Sequence, residues 1–120
     1  MKHELLSAVS EQRGHVAYLG LSGEIDIATA PALEGWLRAA ESNGNTAIVV
    51  DLEAVTFMDV SGLRAFLGAA ERARGSRRTF GIARAPAIVQ RVFQITGTTH
   101  LLAEDAHAFF PNRTTEDASA

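Results

Sequence analysis

The chain has 120 residues, a mass of 12.8 kDa and a formal net charge of −3, with 47% hydrophobic and 21% charged residues. This length fits one domain, and the composition is that of a folded globular protein. The acidic balance argues against bulk attraction to nucleic acid or anionic lipid, and the absence of cysteine excludes disulfides, thiol catalysis and thiolate zinc sites. The sequence shows neither a signal peptide nor an apolar run near the roughly 20 residues of a membrane span, so we expect a soluble cytoplasmic protein.

Hydrophobic periodicity predicts two strands at the start of the chain. They cover residues 5–9 and 15–21 and are separated by a turn at residues 12–14, which contains a glycine. Two short strands joined in this way usually form an antiparallel hairpin. In the second strand, alternation places Ala17, Leu19 and Leu21 on one face and Val16 and Tyr18 on the other.

After a polar corner at residues 22–26, strands alternate with amphipathic helices. The predicted elements are a helix opened by Pro31 and stopped at 43–45, a strand at 46–52, a helix from 59–61 to Gly75, a strand at 78–83, a helix from Pro86 to Gly97, a short strand at 99–102 and a short helix at 104–110. The order β-β-α-β-α-β-α-β-α predicts a single α/β domain over residues 1–110. We expect a mixed, mostly parallel sheet of four to five strands with about four helices. Residues 111–120 offer nothing apolar to bury and are expected to form a flexible tail.

The apolar stripes of these elements predict the hydrophobic core. The strand at 46–52 is a β-branched run of the kind buried on both faces of a parallel sheet. The predicted core comprises Leu19, Leu21, Leu33, Leu37, Ile48, Val50, Leu63, Phe66, Leu67, Ile82, Val89 and Val92.

Two corners at the carboxyl ends of predicted strands carry polar groups that a core does not need. They are Gly23-Glu24-Ile25-Asp26 and Phe57-Met58-Asp59-Val60-Ser61-Gly62. In sheets of this class, binding sites gather where strands pass into helices. The simpler interpretation of the second corner is capping of the helix by Asp59 or Ser61. The free backbone amides and the positive dipole at the start of this helix would also favour a phosphate on Ser61. The phosphate would add about −1.5 to −2 charges and disrupt a docked surface.

Four segments together resemble the STAS domain and, more narrowly, the stand-alone bacterial anti-sigma factor antagonists. The segments are Leu21-Ser22-Gly23-Glu24-Ile25-Asp26, Val49-Val50-Asp51-Leu52, Phe57-Met58-Asp59-Val60-Ser61-Gly62-Leu63 and Ile95-Thr96-Gly97. The resemblance covers residues 5 to 110. It implies an unphosphorylated antagonist that binds an anti-sigma factor, often a serine kinase, which then releases its sigma factor. Phosphorylation at the start of the second helix breaks that complex, and a phosphatase restores it. Such a regulator needs no catalytic group, cofactor or metal.

The resemblance also implies the residues that contact the partner. They are Asp26, Asp59, Val60, Ser61, Gly62 and Leu63. In the family the phosphorylated Ser or Thr directly follows the aspartate, and this chain has Val60 at that position. Either Ser61 has taken the role, as the sole candidate at the motif, or the partner is bound without this control. Asp26 and Asp59 have an alternative role as turn or cap residues.

Other functions have less support. A phosphoacceptor receiver domain would use Asp51 as acceptor but needs a lysine late in the chain, and the only lysine is Lys2. Asp51 is instead expected at a strand end, where it bonds nearby backbone. The sequence has no Gly-rich phosphate loop, no nucleophile elbow and no paired-histidine metal spacing, so an enzyme is not expected. The basic stretch at residues 71–78 is typical of a solvated helix end. The alternative within the family is a STAS subunit of a membrane lipid-transport or other signalling complex.

Overall fold

A computed structural model describes residues 1–102, and its sheet has four strands. The strands are β1 (Leu6–Arg13), β2 (Val16–Ile25), β3 (Ala47–Met58) and β4 (Thr79–Ala83), and the helices are α1 (Ala30–Ser42), α2 (Val60–Gly75) and α3 (Ala87–Thr96). The strand order is β1-β2-β3-β4, with β1 antiparallel to β2 and the other two pairs parallel. The predicted α/β architecture with a mixed, mostly parallel sheet is therefore confirmed.

The three helices pack on one face of the sheet. Their buried side chains, such as Leu33, Phe66 and Phe93, join Leu19 and Val50 in one apolar cluster. The opposite face holds a smaller buried cluster of Tyr18, Val49 and Ala83, against which Val16 packs. Residues 48–52 of β3 are thus buried on both faces, as their β-branched sequence predicts.

Most of the predicted core is buried, with two exceptions. Leu67 and Val92 are only partly buried, because they lie at the edges of the helix stripes. The structure adds buried residues from the predicted strands and from segments that the sequence assigned to corners or left unassigned. The larger of these additional core residues include Leu6, Ile25, Leu52, Val55 and Met58, together with Phe93 of α3.

Three strands are longer than predicted, since β1 runs to Arg13, into the predicted turn at 12–14, β2 runs to Ile25 and β3 runs to Met58. The parallel ladder between β2 and β3 continues past two register shifts to the pair Ile25 and Met58, so most of the predicted corner at 22–26 is strand. Gly23 allows β2 to continue through this segment, because its φ of +115° is strained for other residues. A side chain at this position would also clash with the Leu5 carbonyl.

The predicted strand at 99–102 is wrong. Residues Thr99–Leu101 form a 3-10 turn, and only Leu102 bridges to Ile82 of β4. The amides of Thr98 and Leu101 are bonded locally, to the Phe93 and Thr98 carbonyls, and do not join a sheet ladder. The predicted helix at 104–110 and tail at 111–120 lie outside the described residues.

The end of α2 is tied to α1 by an ion pair. The Arg72 guanidinium donates to both Glu41 carboxylate oxygens, at 2.7 and 2.9 Å, and this hydrogen bonding raises the pKa of Arg72. Arg78 donates to the carbonyls of Asn45 and Glu41. Two arginines of the basic stretch therefore hold elements together, which refines its interpretation as a solvated face. Within residues 1–102, no helix is long and apolar enough to cross a membrane.

Candidate functional site

The two corners singled out in the sequence lie side by side at one edge of the sheet. The Asp59 amide donates to the Ile25 carbonyl at 3.1 Å, and Ile25 is paired with Met58 in the parallel ladder. The carboxyl ends of parallel strands meet at a common edge, so the loops into α1 and α2 are neighbours. We call the surface formed by Asp26, Ile27, Asp59, Val60 and Ser61 the tip.

Asp59 caps the start of α2. Its backbone is extended, with φ −114° and ψ −171°, and its Oδ1 accepts a hydrogen bond from the Ser61 amide at 2.8 Å. The Asp59 carbonyl accepts from the amides of Gly62 and Leu63 at 3.2 and 3.4 Å. The capping interpretation of this aspartate is thereby confirmed, and the cap holds the helix start in a fixed direction.

The side chain that projects outward at the start of α2 is Val60. It is the first helical residue and is 51% exposed, whereas Ser61 is half-buried behind the cap. Gly62 and Leu63 are buried and offer little surface to a partner. Of the residues that the sequence assigned to partner contact at this helix, Val60 is therefore the most accessible.

Gly62 lets the helix start lie directly on the sheet. A Cβ at this position would come within 2.5 Å of Ile25 Cγ2 and 2.8 Å of Met58 Cγ, closer than any side chain can approach without movement. Only glycine allows this contact, which sets the position of α2 against the ends of β2 and β3.

Asp26 shapes the loop into α1. Its Oδ1 accepts hydrogen bonds from the amides of Ala28 and Thr29 at 2.9 and 3.0 Å. The buried Thr29 hydroxyl bridges the same loop, because it donates to the Glu24 carbonyl and accepts from the Asp26 amide, each at 2.9 Å. Asp26 therefore has the turn role considered for it, and its hydrogen bonds fix the backbone around Ile27, the next residue.

Sequence reasoning missed two exposed apolar residues at this edge. Ile27, directly after Asp26, is 80% exposed, and Phe57 at the end of β3 is 43% exposed. The sequence signal for Ile27 was an isoleucine inside a polar corner, outside the apolar face of any predicted helix or strand. Ile27 and Val60 make the tip apolar at its most accessible points, and Phe57 adds an exposed apolar side chain next to it. Such a surface is characteristic of protein binding.

Asp51 lies away from the tip. It is buried within β3, where it pairs with Arg84 and accepts a hydrogen bond from the Glu53 amide at 3.0 Å. Its assignment to a strand end is wrong because β3 continues to Met58, but its expected role of bonding nearby backbone is confirmed. In the part of the chain that the structure describes, no group of three or more His, Asp or Glu side chains could hold a metal ion.

Comparison with known proteins gives consistent matches. The family described as "Mlab, STAS domain" matches residues 8–103. The chain is 34% identical over 89 residues to the anti-sigma-F factor antagonist RsfB of Mycobacterium tuberculosis, covering 74% of this chain and 71% of that protein. It is 33% identical to the anti-sigma-B factor antagonist of Staphylococcus aureus, covering 68% and 76% of the two chains.

Solved structures show the same fold. An anti-sigma factor antagonist from Mycobacterium paratuberculosis superposes with a TM-score of 0.76 at 30% identity, covering 83% of this chain and 86% of that one. Unphosphorylated SpoIIAA superposes with a TM-score of 0.75 at 21% identity, covering 90% and 97%. On the family match and on its identity to these relatives, the chain belongs to the STAS-domain family of anti-sigma factor antagonists.

Proposed function

We propose that this protein binds an anti-sigma factor through the tip and thereby frees a sigma factor. The observation that carries this proposal is the apolar, accessible pair Ile27 and Val60, presented by two loops whose backbone is held by Asp26 and Asp59. A rigid surface with an apolar centre loses little conformational entropy on binding, so its burial translates into affinity. The names of the relatives from M. tuberculosis and S. aureus supply the class of partner.

The protein acts by docking and not by catalysis. Both aspartates of the tip are engaged in capping and turn hydrogen bonds with the backbone, and the group that projects outward between them is a valine. We further propose that the partner is of the serine kinase type and that the complex forms in the cytoplasm. Binding is supported indirectly by Asp59, Gly62 and Leu63. They hold the start of α2 in place and so keep Val60 and Ser61 in position for a partner.

The proposed binding is tested with purified anti-sigma factors of the source organism, each immobilised and titrated with this protein. We expect one of them to bind and to release its sigma factor as the titration proceeds. Val60→Asp should weaken that binding about tenfold or more, because it removes an apolar contact and buries a charge. Ile95→Asp is the matched control, since Ile95 lies at the far end of α3 and is 77% exposed. Binding only to the ATPase of a transporter would favour the lipid-transport alternative and contradict the proposal.

The regulation of this binding rests on Ser61. We propose that the anti-sigma kinase phosphorylates its hydroxyl, which lies in the first turn of α2, one residue beyond Val60. The phosphate would lie at the positive end of the α2 dipole but also beside the Asp59 carboxylate, and the added charge would oppose burial of the tip against a partner.

This switch is tested by incubation with the bound kinase and ATP, followed by mass spectrometry. We expect one phosphate, on Ser61, and loss of binding in the phosphorylated fraction, with Ser61→Ala as the unmodified control. A phosphate elsewhere, or none, would remove the switch and leave the binding function intact.

A further inference from the structure

A row of three residues crosses the end of the sheet next to the tip. Glu24 of β2 is paired with Phe57 of β3, and the Glu24 amide donates to the Leu5 carbonyl at 2.9 Å. Leu5, Glu24 and Phe57 are therefore neighbours across the sheet, with adjacent strands about 4.8 Å apart. We call them the sheet-end row.

The row is apolar at both ends and accessible. Leu5 is 46% exposed and Phe57 is 43% exposed, while their chain neighbours Leu6 and Met58 are buried in the core. Because successive side chains of a strand point to opposite faces, Phe57 lies on the face away from Met58 and the helices. The row thus extends the apolar surface next to the tip onto the face of the sheet opposite α1, α2 and α3.

The segment that carries Leu5 is held in place by backbone hydrogen bonds. The amides and carbonyls of His3 and Leu6 bond to each other, at 2.7 and 3.3 Å, and the Ala8 amide donates to the Met1 carbonyl at 2.8 Å. Gly23 allows the close approach of the Leu5 carbonyl, which a side chain at that position would block. Leu5 is therefore presented in a defined position and loses little entropy when a partner covers it.

The tip alone is too small for a stable complex. A specific interface buries about 800 Å² on each partner and involves roughly 20–30 residues a side, whereas the tip consists of five. The interface must spread from the tip. Towards β4 the sheet ends early, because the last β3–β4 pair is Asp51 with Ala83, whereas β3 stays paired with β2 up to Met58. Towards β1 the sheet extends further, and Leu5 and Phe57 are exposed apolar residues of the sheet-end row.

We propose that the sheet-end row is a second contact surface for the anti-sigma factor, with Leu5 as one of its apolar contacts. This inference rests on the proposed function and deepens it: the partner covers the helix start and also reaches round the edge of the sheet to Leu5. The occupant is the same anti-sigma factor, because the row and the tip are continuous and one partner of ordinary size covers both.

The test compares two exposed apolar residues near the same edge of the sheet. Leu5→Asp should weaken binding of the anti-sigma factor about tenfold or more, whereas Val9→Asp should change it less than about twofold. Val9 is the matched control because it is 75% exposed, receives the same charge and lies four residues further along, about 13 Å from Leu5. Equal effects of the two substitutions would overturn the proposal.

A second measurement keeps the proposal testable if Leu5→Asp does not fold. In methyl NMR spectra of the unmodified protein, titration with the anti-sigma factor should shift the Leu5 methyl signals and leave those of Val9 in place. Unshifted Leu5 signals, in a titration that shifts those of Val60, would refute the role of the row and leave the proposed function standing. Absence of binding by the unmodified protein would refute the proposed function itself.

Discussion

At the scale of single residues, the two aspartates of the tip act through the backbone. Asp59 accepts from the Ser61 amide, and Asp26 accepts from the amides of Ala28 and Thr29. Capping was predictable, because an aspartate before a helical stripe is a local signal. The exposure of Ile27 was not predictable, since a single apolar residue in a loop is buried or exposed according to what the rest of the chain places over it.

A prediction at this scale separates the capping of α2 by Asp59 from direct contact with a partner. Asp59→Ala should lower the free energy of unfolding by about 1 kcal/mol, because the helix loses its cap. Asp59→Ser should recover most of this loss, since a serine hydroxyl also accepts from a helix amide. Urea denaturation measures the stability, and titration of the anti-sigma factor measures the affinity.

We expect Asp59→Ser to recover affinity together with stability. A variant that regains stability but remains weak in binding would show that the carboxylate itself contacts the partner, contrary to this account.

At the scale of elements, the helices were predicted better than the strands. Pro86 and Gly97 bound α3 as expected, with Gly97 in the left-handed conformation at φ +70°. The extension of β3 to Met58 was missed because Glu53 and Thr56 interrupt the apolar run. Those polar residues are tolerated in the strand since the end of β3 is paired only with β2 and is partly exposed.

A prediction at this scale concerns how α2 is seated on the sheet. Gly62→Ala should lower the free energy of unfolding by about 1–3 kcal/mol and also weaken binding, because the new methyl group displaces α2 from Ile25 and Met58. Gly35→Ala in α1 is the control, since no atom lies within 4 Å of its added Cβ and alanine favours a helix. Thermal unfolding and the binding titration are the measurements, and equal behaviour of the two variants would contradict the proposed role of Gly62.

At the scale of the whole molecule, the sheet is a layer with two unequal sides. The helices bury one face, and a small cluster of Tyr18, Val49 and Ala83 forms the other. The sheet-end row lies beyond this cluster, at the tip end of the same face. Stability and binding therefore use different parts of that face.

A prediction at this scale tests the burial of the second face. Val49→Ala should lower the free energy of unfolding by about 2 kcal/mol, because Val49 is fully buried and the substitution leaves a cavity. Val9→Ala should change it by less than about 0.5 kcal/mol, since Val9 is largely exposed. Urea denaturation gives both values. A small effect at Val49 would mean that the cluster of Tyr18, Val49 and Ala83 contributes little to the stability of the fold.

The sequence by itself determined the class of the fold, the order of its elements and the two corners that form the tip, because periodicity, capping residues and glycines act over a few neighbouring positions. Only the tertiary structure decided that Val60 projects while Ser61 lies half-buried, and that Leu5, Glu24 and Phe57 form one row across the sheet. Exposure and contact between distant residues depend on how the elements pack, and no local pattern encodes that packing.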